Sequence, residues 1–126
     1  MIHGIGADIV ETSRMEALLE KFGERLARRI LTDLEWGDYM KSADRMRFLS
    51  KRFAAKEAFS KAVGTGLRHP VTFGRISVVK DELGKPSFAF DEELSAFLEF
   101  RGISNHHLSI SDEKSVACAF VVLEGK

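Results

Sequence analysis

Phe48-Leu49-Ser50-Lys51-Arg52-Phe53-Ala54-Ala55-Lys56-Glu57-Ala58-Phe59-Ser60-Lys61-Ala62-Val63-Gly64-Thr65-Gly66 is the most informative stretch of the chain. It reads as the body of a helix that begins near Asp44 and runs to Val63. Gly64 then supplies the left-handed residue that commonly follows a helix. Phe48, Ala55, Phe59 and Ala62 form one apolar stripe. Glu57 and Lys61 share a face roughly opposite to it, at the spacing of a helical ion pair. Read alone, such a pair is a solvated contact worth a few tenths of a kcal/mol. The Gly64-Thr65-Gly66 turn adds a second reading, because backbone N–H groups beside glycines can approach a phosphate closely. The turn lacks the GxxxxGK[ST] spacing of a Walker loop.

Before this helix, Ile2 to Val10 reads as a short, largely buried strand with glycines at 4 and 6, which mark a bulge or a close backbone approach. Its one acid, Asp8, either faces solvent or is buried and paired. Mg²⁺ is one such partner, since it takes one or two protein carboxylates together with phosphates and water. Asp8 and Glu57 make a sensible pair for it if the fold brings them together. Thr12 to Leu31 has helical periodicity, with Gly23 as a candidate interruption. Thr32-Asp33-Leu34-Glu35 matches a capping box ahead of a further helix to about Met40.

After the helix the pattern changes to strands. Arg75 to Val79 and Ser87 to Phe90 flank the turn Asp81-Glu82-Leu83-Gly84 and read as a hairpin. Asp91 to Arg101 reads as a helix closed by Gly102, and His107 to Ile110 and Val116 to Leu123 as two strands. The expected fold is therefore α+β: a single domain over 1–126 with a small antiparallel sheet packed against helices.

The 126 residues carry 19 basic and 19 acidic side chains, so the formal net charge is zero. That balance, with a basic first half, argues for a local anionic partner and against wholesale nucleic-acid binding. No stretch approaches the apolar length of a membrane span, and the N-terminus shows no basic segment followed by an apolar run, so no cleavable signal peptide is expected. Cys118 is the only cysteine. It allows no internal disulfide, fits a cytoplasmic setting and reads as a small buried hydrophobe.

Gly4-Ile5-Gly6-Ala7-Asp8-Ile9-Val10-Glu11 resembles the opening motif of the holo-acyl-carrier-protein synthases. Lys51 to Ala62, followed by Gly64-Thr65-Gly66, resembles their central motif. His107 to Asp112 and Ala117 to Val121 resemble their closing strands. The blocks stand in family order along nearly the whole chain, and the central one is highly specific. The resemblance implies a 4'-phosphopantetheinyl transferase-like fold and a homotrimer with sites at subunit interfaces. It further implies Mg²⁺ on Asp8 and Glu57, coenzyme A as substrate, and an acyl carrier protein as partner, in support of fatty acid biosynthesis. Glu57 and Lys61 become the expected catalytic residues, with the CoA phosphates near Lys61 and the Gly64-Thr65-Gly66 turn. Arg52 is a candidate for a further phosphate contact. His107 matches a family position near bound CoA; a half-buried strand histidine satisfied by backbone is the alternative. Many relatives carry histidine where this chain has Asp112, which is given no catalytic role. Arg14, Lys21, Arg25, Arg28 and Arg29 lie outside these motifs and are expected to dock the acidic carrier, on one side of a helix that Gly23 must not break. Two rival readings remain: a non-catalytic nucleotide- or polyanion-binding module, and a structural oligomerisation domain.

Overall fold

The structure is a computed structural model that describes residues 1–126. Strand β1 (Ile2–Glu11) leads into helices α1 (Thr12–Phe22), α2 (Glu24–Ile30) and α3 (Asp33–Lys41), then the long α4 (Arg45–Val63). A 3-10 turn at Phe73–Arg75 precedes the hairpin β2 (Ile76–Lys80) and β3 (Pro86–Phe90). Helix α5 (Glu92–Phe100) and strands β4 (Ile103–Glu113) and β5 (Val116–Gly125) complete the chain. The strands form two antiparallel sheets, one of order β1-β5-β4 and one of β2-β3. The α+β class expected from the sequence is the class observed. No helix is long and apolar enough to cross a membrane.

Gly23 does break the first helical region. Its φ of 66° ends α1 and starts α2, so the basic residues do not share one continuous helical side. Glu35 does reach back as the capping pattern requires, its Oε1 accepting from the Thr32 N–H at 2.9 Å. Asp44 caps α4 by accepting from the Arg47 N–H at 3.0 Å, and Gly64 ends it at φ 93°.

Helix α4 is the centre of the molecule and is buried on most of its circumference, not along one stripe. On one side it lies against β1 so closely that side chains are excluded. A Cβ on Gly4 would fall 2.0 Å from the Ala62 carbonyl oxygen, and one on Gly6 2.0 Å from that of Ala58. The glycines of β1 are thus a close approach, and they bring its inner row (Gly4, Gly6, Asp8 and Val10) onto the helix. Gly6→Ala is therefore expected to destabilise the protein toward the upper end of the about 1–3 kcal/mol that overpacking costs, and to lower any activity that depends on Asp8. Urea unfolding measures the first effect; an unchanged midpoint would mean that β1 can lift off the helix freely.

The two sheets are joined by a histidine. The Phe88 N–H on β3 donates to His106 Nε2 on β4 at 3.0 Å, within a cluster of Phe59, Phe88 and Phe90. Accepting at Nε2 requires the neutral ring, and burial and neighbouring His107 both push the His106 pKa down.

Candidate active site

The close approach of β1 to α4 sets Asp8 beside the last turns of the helix. Lys61 Nζ donates to Asp8 Oδ1 at 3.0 Å and to the Ala7 carbonyl at 3.1 Å. The Asp8 side chain keeps only 15% of its exposure, whereas Lys61 keeps 51%. The surface pair between Glu57 and Lys61 suggested by their spacing does not form: Lys61 reaches across to the strand instead. Glu57 is left without an ion-pair partner, and its carboxyl is raised above the ordinary range. Partial burial is the larger cause and the charge of Asp8 the next; Lys61 and Arg14 pull the other way. Asp8, Glu57 and Lys61, predicted separately from the sequence, therefore converge.

Their chemistry suits a hard cation. The Asp8 carboxylate and the Ala7 carbonyl both meet the Lys61 ammonium, and the Glu57 carboxylate lies near enough for their charges to act on it. That donor set is one Mg²⁺ accepts, with substrate phosphates and water completing its octahedron.

The Gly64-Thr65-Gly66 turn, expected to cradle a phosphate, has two of its three amides already committed. The N–H groups of Gly64 and Gly66 both donate to the Ser60 carbonyl, at 3.1 and 3.2 Å, and the Thr65 hydroxyl donates to the Gly66 carbonyl at 2.8 Å. These two amides close the helix, whereas the Thr65 N–H takes no backbone partner; the C-terminal end of a helix carries partial negative charge that disfavours a phosphate. Lys61, in the last turn, and Arg101, whose guanidinium donates to the Val63 carbonyl at 3.5 Å, offer positive charge there.

Arg52 departs from the expected phosphate contact. It is 4% exposed, donating to Glu35 Oε2 at 3.0 Å and to the Val78 carbonyl at 2.6 Å, with its guanidinium over the Phe48 ring. It forms part of a wall and is not a free arm for a phosphate. That wall belongs to a cavity of about 210 Å³ beside the N-terminal half of α4, to which Arg47, Lys51 and Lys80 add their charge and Phe48, Gly84 and Pro86 their surface. The sequence reading missed this cavity because its cations come from α4 and from the end of β2, which only the fold brings together. Asp112 sits at its edge, accepting from Arg47 at 2.6 Å with Lys51 3.9 Å away.

His107 is exposed, not half-buried, and its Nε2 meets Glu124 Oε1 at 2.6 Å, not the backbone. Arg14 lies close enough to lower the Glu57 pKa, so it borders the site. Arg28 stacks over Trp36 at 3.6 Å and pairs with Glu24 at 3.8 Å, and Lys21 lies over Phe22. Cys118 is only partly buried.

An α+β domain with a cationic cavity and paired carboxylates beside a lysine is the outline of an enzyme that handles phosphates. A model of the 4'-phosphopantetheinyl transferase superfamily matches residues 4–121. The chain is 61% identical over 98% of its length to the holo-[acyl-carrier-protein] synthase of Nitrosospira multiformis, 99% of which is covered. The same enzyme of Nitrosomonas eutropha is 59% identical, with 98% and 99% covered. Among solved structures, the Neisseria meningitidis synthase superposes with a TM-score of 0.97 at 50% identity, covering 98% of this chain and 99% of that one. The Bacillus anthracis synthase, solved in complex with CoA (3',5'-ADP), gives 0.83 at 42% identity, covering 100% and 99%. The chain belongs to the holo-[acyl-carrier-protein] synthase family of that superfamily.

Proposed function

We propose that this chain moves the 4'-phosphopantetheine arm of coenzyme A onto a serine of an apo acyl carrier protein, releasing adenosine 3',5'-bisphosphate, as a step that supports fatty acid biosynthesis in the cytoplasm. The observation that carries the reading is the convergence of Asp8, Glu57 and Lys61 in a chain of this family. The carrier serine oxygen attacks the phosphorus that bears the arm, and the bond to the nucleotide's 5'-phosphate breaks. Positioning and charge neutralisation dominate such a transfer. Asp8 and Glu57 would hold Mg²⁺, which when bound neutralises phosphate charge. Glu57 is the group of this chain best placed to accept the serine proton. Lys61 is half exposed and meets the charge that develops on the leaving phosphate.

The cationic cavity is assigned to the nucleotide end of CoA. It lies by the first turns of α4 and the acids by its last turns; Lys51 and Lys61 are about 15 Å apart along the helix axis at 1.5 Å per residue. The test of the function is to incubate the protein with CoA, Mg²⁺ and an apo carrier protein and to weigh the carrier intact. A carrier heavier by one phosphopantetheine supports the transferase. An unchanged carrier, with CoA bound, supports the binding module instead.

A homotrimer is part of the same proposal. The outer face of the three-stranded sheet exposes Ile5, Ile9 and Phe120, at 59, 70 and 47%, alongside Ala7, Cys118 and Val122 in the same cross-strand rows. An apolar face of this kind marks an interaction surface, and the family resemblance supplies the number three. Light scattering on a sizing column should return three times the chain mass. A fully active monomer would overturn both the trimer and sites completed at its interfaces.

Carrier docking is assigned to α2 and its surroundings. Arg25→Glu should raise the Michaelis constant for the carrier several-fold and flatten its salt dependence, with the constant for CoA unchanged, because surface charge acts mainly on encounter. Arg14→Glu should also change the maximal rate, since Arg14 borders Glu57. Equal effects of Arg25→Glu on both substrates would remove α2 from the docking surface.

A further inference from the structure

Most of the positive charge in the cavity beside α4 is already engaged. Arg47 and Lys51 lean on Asp112, and Arg52 is held by Glu35 and the Val78 carbonyl. The side chain of Lys80, the last residue of β2, lines the same cavity, is exposed, and takes part in no ion pair or hydrogen bond. Its neighbours work against its charge. Partial burial and then the charges of Lys51 and Arg52 hold its pKa below the ordinary lysine range, against weaker pulls from Asp38 and Asp112. A lysine beside other cations is an activated nucleophile. Lys56 is also depressed, but it is fully buried and closed to reagents. Lys61 is bound to Asp8.

We propose that Lys80 is a modification site for acyl phosphates, whose phosphate docks beside Arg47 and Lys51 while the Lys80 amine attacks the acyl carbon. The nitrogen forms an amide bond to that carbon, and the bond from carbon to the phosphate oxygen breaks. Phosphate leaves with the electron pair, and the proton of the attacking amine passes to solvent. The cations that attract the donor also stabilise the departing phosphate, so one cavity provides both binding and leaving-group stabilisation. Acylation removes the charge of Lys80 and fills part of the cavity.

The full chain is incubated with acetyl phosphate, and separately with acetylimidazole, which carries no phosphate; the acetylated lysines are mapped by peptide mass spectrometry over time. With acetyl phosphate, Lys80 should react about tenfold faster than the mean of Lys21, Lys41, Lys85, Lys114 and Lys126, the effect of one charge-assisted phosphate contact. With acetylimidazole that lead should shrink to the smaller advantage of an activated amine. Lys80 reacting no faster than the others with acetyl phosphate would overturn the proposal. An equal lead with both reagents would overturn it too, because the phosphate would then play no part. The effect on CoA rests on the transferase reading and is separable: the acetylated protein should show a several-fold higher Michaelis constant for CoA. Acetylation of Lys80 with that constant unchanged would remove the nucleotide from this cavity and leave the modification site standing.

Discussion

Asp8→Ala and Glu57→Gln should each lower transfer to the carrier by more than about 100-fold, since a metal held by these groups contributes several kcal/mol to transition-state charge stabilisation. Neither should unfold the protein. Asp8 pairs with a half-exposed lysine, and contacts of that kind contribute at most about 1 kcal/mol. Glu57 is held in a place that burial and a neighbouring carboxylate make unfavourable for its charge, so the neutral amide removes a repulsion. The expected result is therefore a protein that melts within a few degrees of the parent, or above it, and does not turn over. Stability given up for function in this way is characteristic of active sites. Turnover near the parent's at saturating CoA and Mg²⁺, in either variant, would remove that residue from the site. A large fall in melting temperature in both would make the convergence structural.

How far the sequence disclosed this site depends on the length scale of each feature. The ends of α4 were legible because Asp44 and Gly64 act within one turn of the helix. The glycines of β1 announced a close approach, though not its target: the carbonyls of Ala58 and Ala62 are more than fifty residues away. The side of β1 on which Asp8 lies is not legible, because one acid in a strand does not say which row faces the helix. The burial of α4 was illegible for a different reason. A helix buried on most sides normally reads as apolar all round, and this one buries Arg52, Lys56, Ser50 and Ser60, so its pattern resembles an amphipathic surface helix. Which amides of the glycine turn are free for a phosphate is also illegible, because hydrogen-bond commitments are invisible in a motif. The Gly64 and Gly66 amides are engaged within the helix end itself.

Glu35→Ala should be among the most destabilising single substitutions in the chain, at about 3–5 kcal/mol, the usual effect of removing one partner from a buried charged cluster. Glu35 is 1% exposed. Its Oε1 accepts from Lys56 Nζ at 2.6 Å and from the Thr32 N–H at 2.9 Å. Its Oε2 accepts from Arg52 at 3.0 Å and from the Val78 N–H at 3.1 Å. Lys56 completes its three donors on the carbonyls of Ile30 and Phe73, which is the geometry of a charged ammonium. One carboxylate thus ties α3, α4 and β2 together and neutralises two buried cations. Burial opposes its charge, but Lys56 and the hydrogen bonds prevail and hold its carboxyl below the ordinary 4.5. The stability it provides is present above that value and is lost as pH falls through the lower folded one. Lys56 behaves oppositely: burial, against the pull of Glu35, pushes it from 10.5 down to about 8. Between those values the unfolded chain binds the proton that the folded chain has released, so stability rises with pH across that window. In Glu35→Gln the pull of the carboxylate is gone, and the Lys56 pKa must fall further. Its window then opens below 8, and the variant gains stability with pH through a range where the parent does not. Urea unfolding of parent and Glu35→Gln from mildly acidic to mildly alkaline pH should show the deficit narrowing as pH rises. A deficit that stays constant would mean that Lys56 does not carry its proton into the folded interior, and that hydrogen bonds alone hold these three elements together.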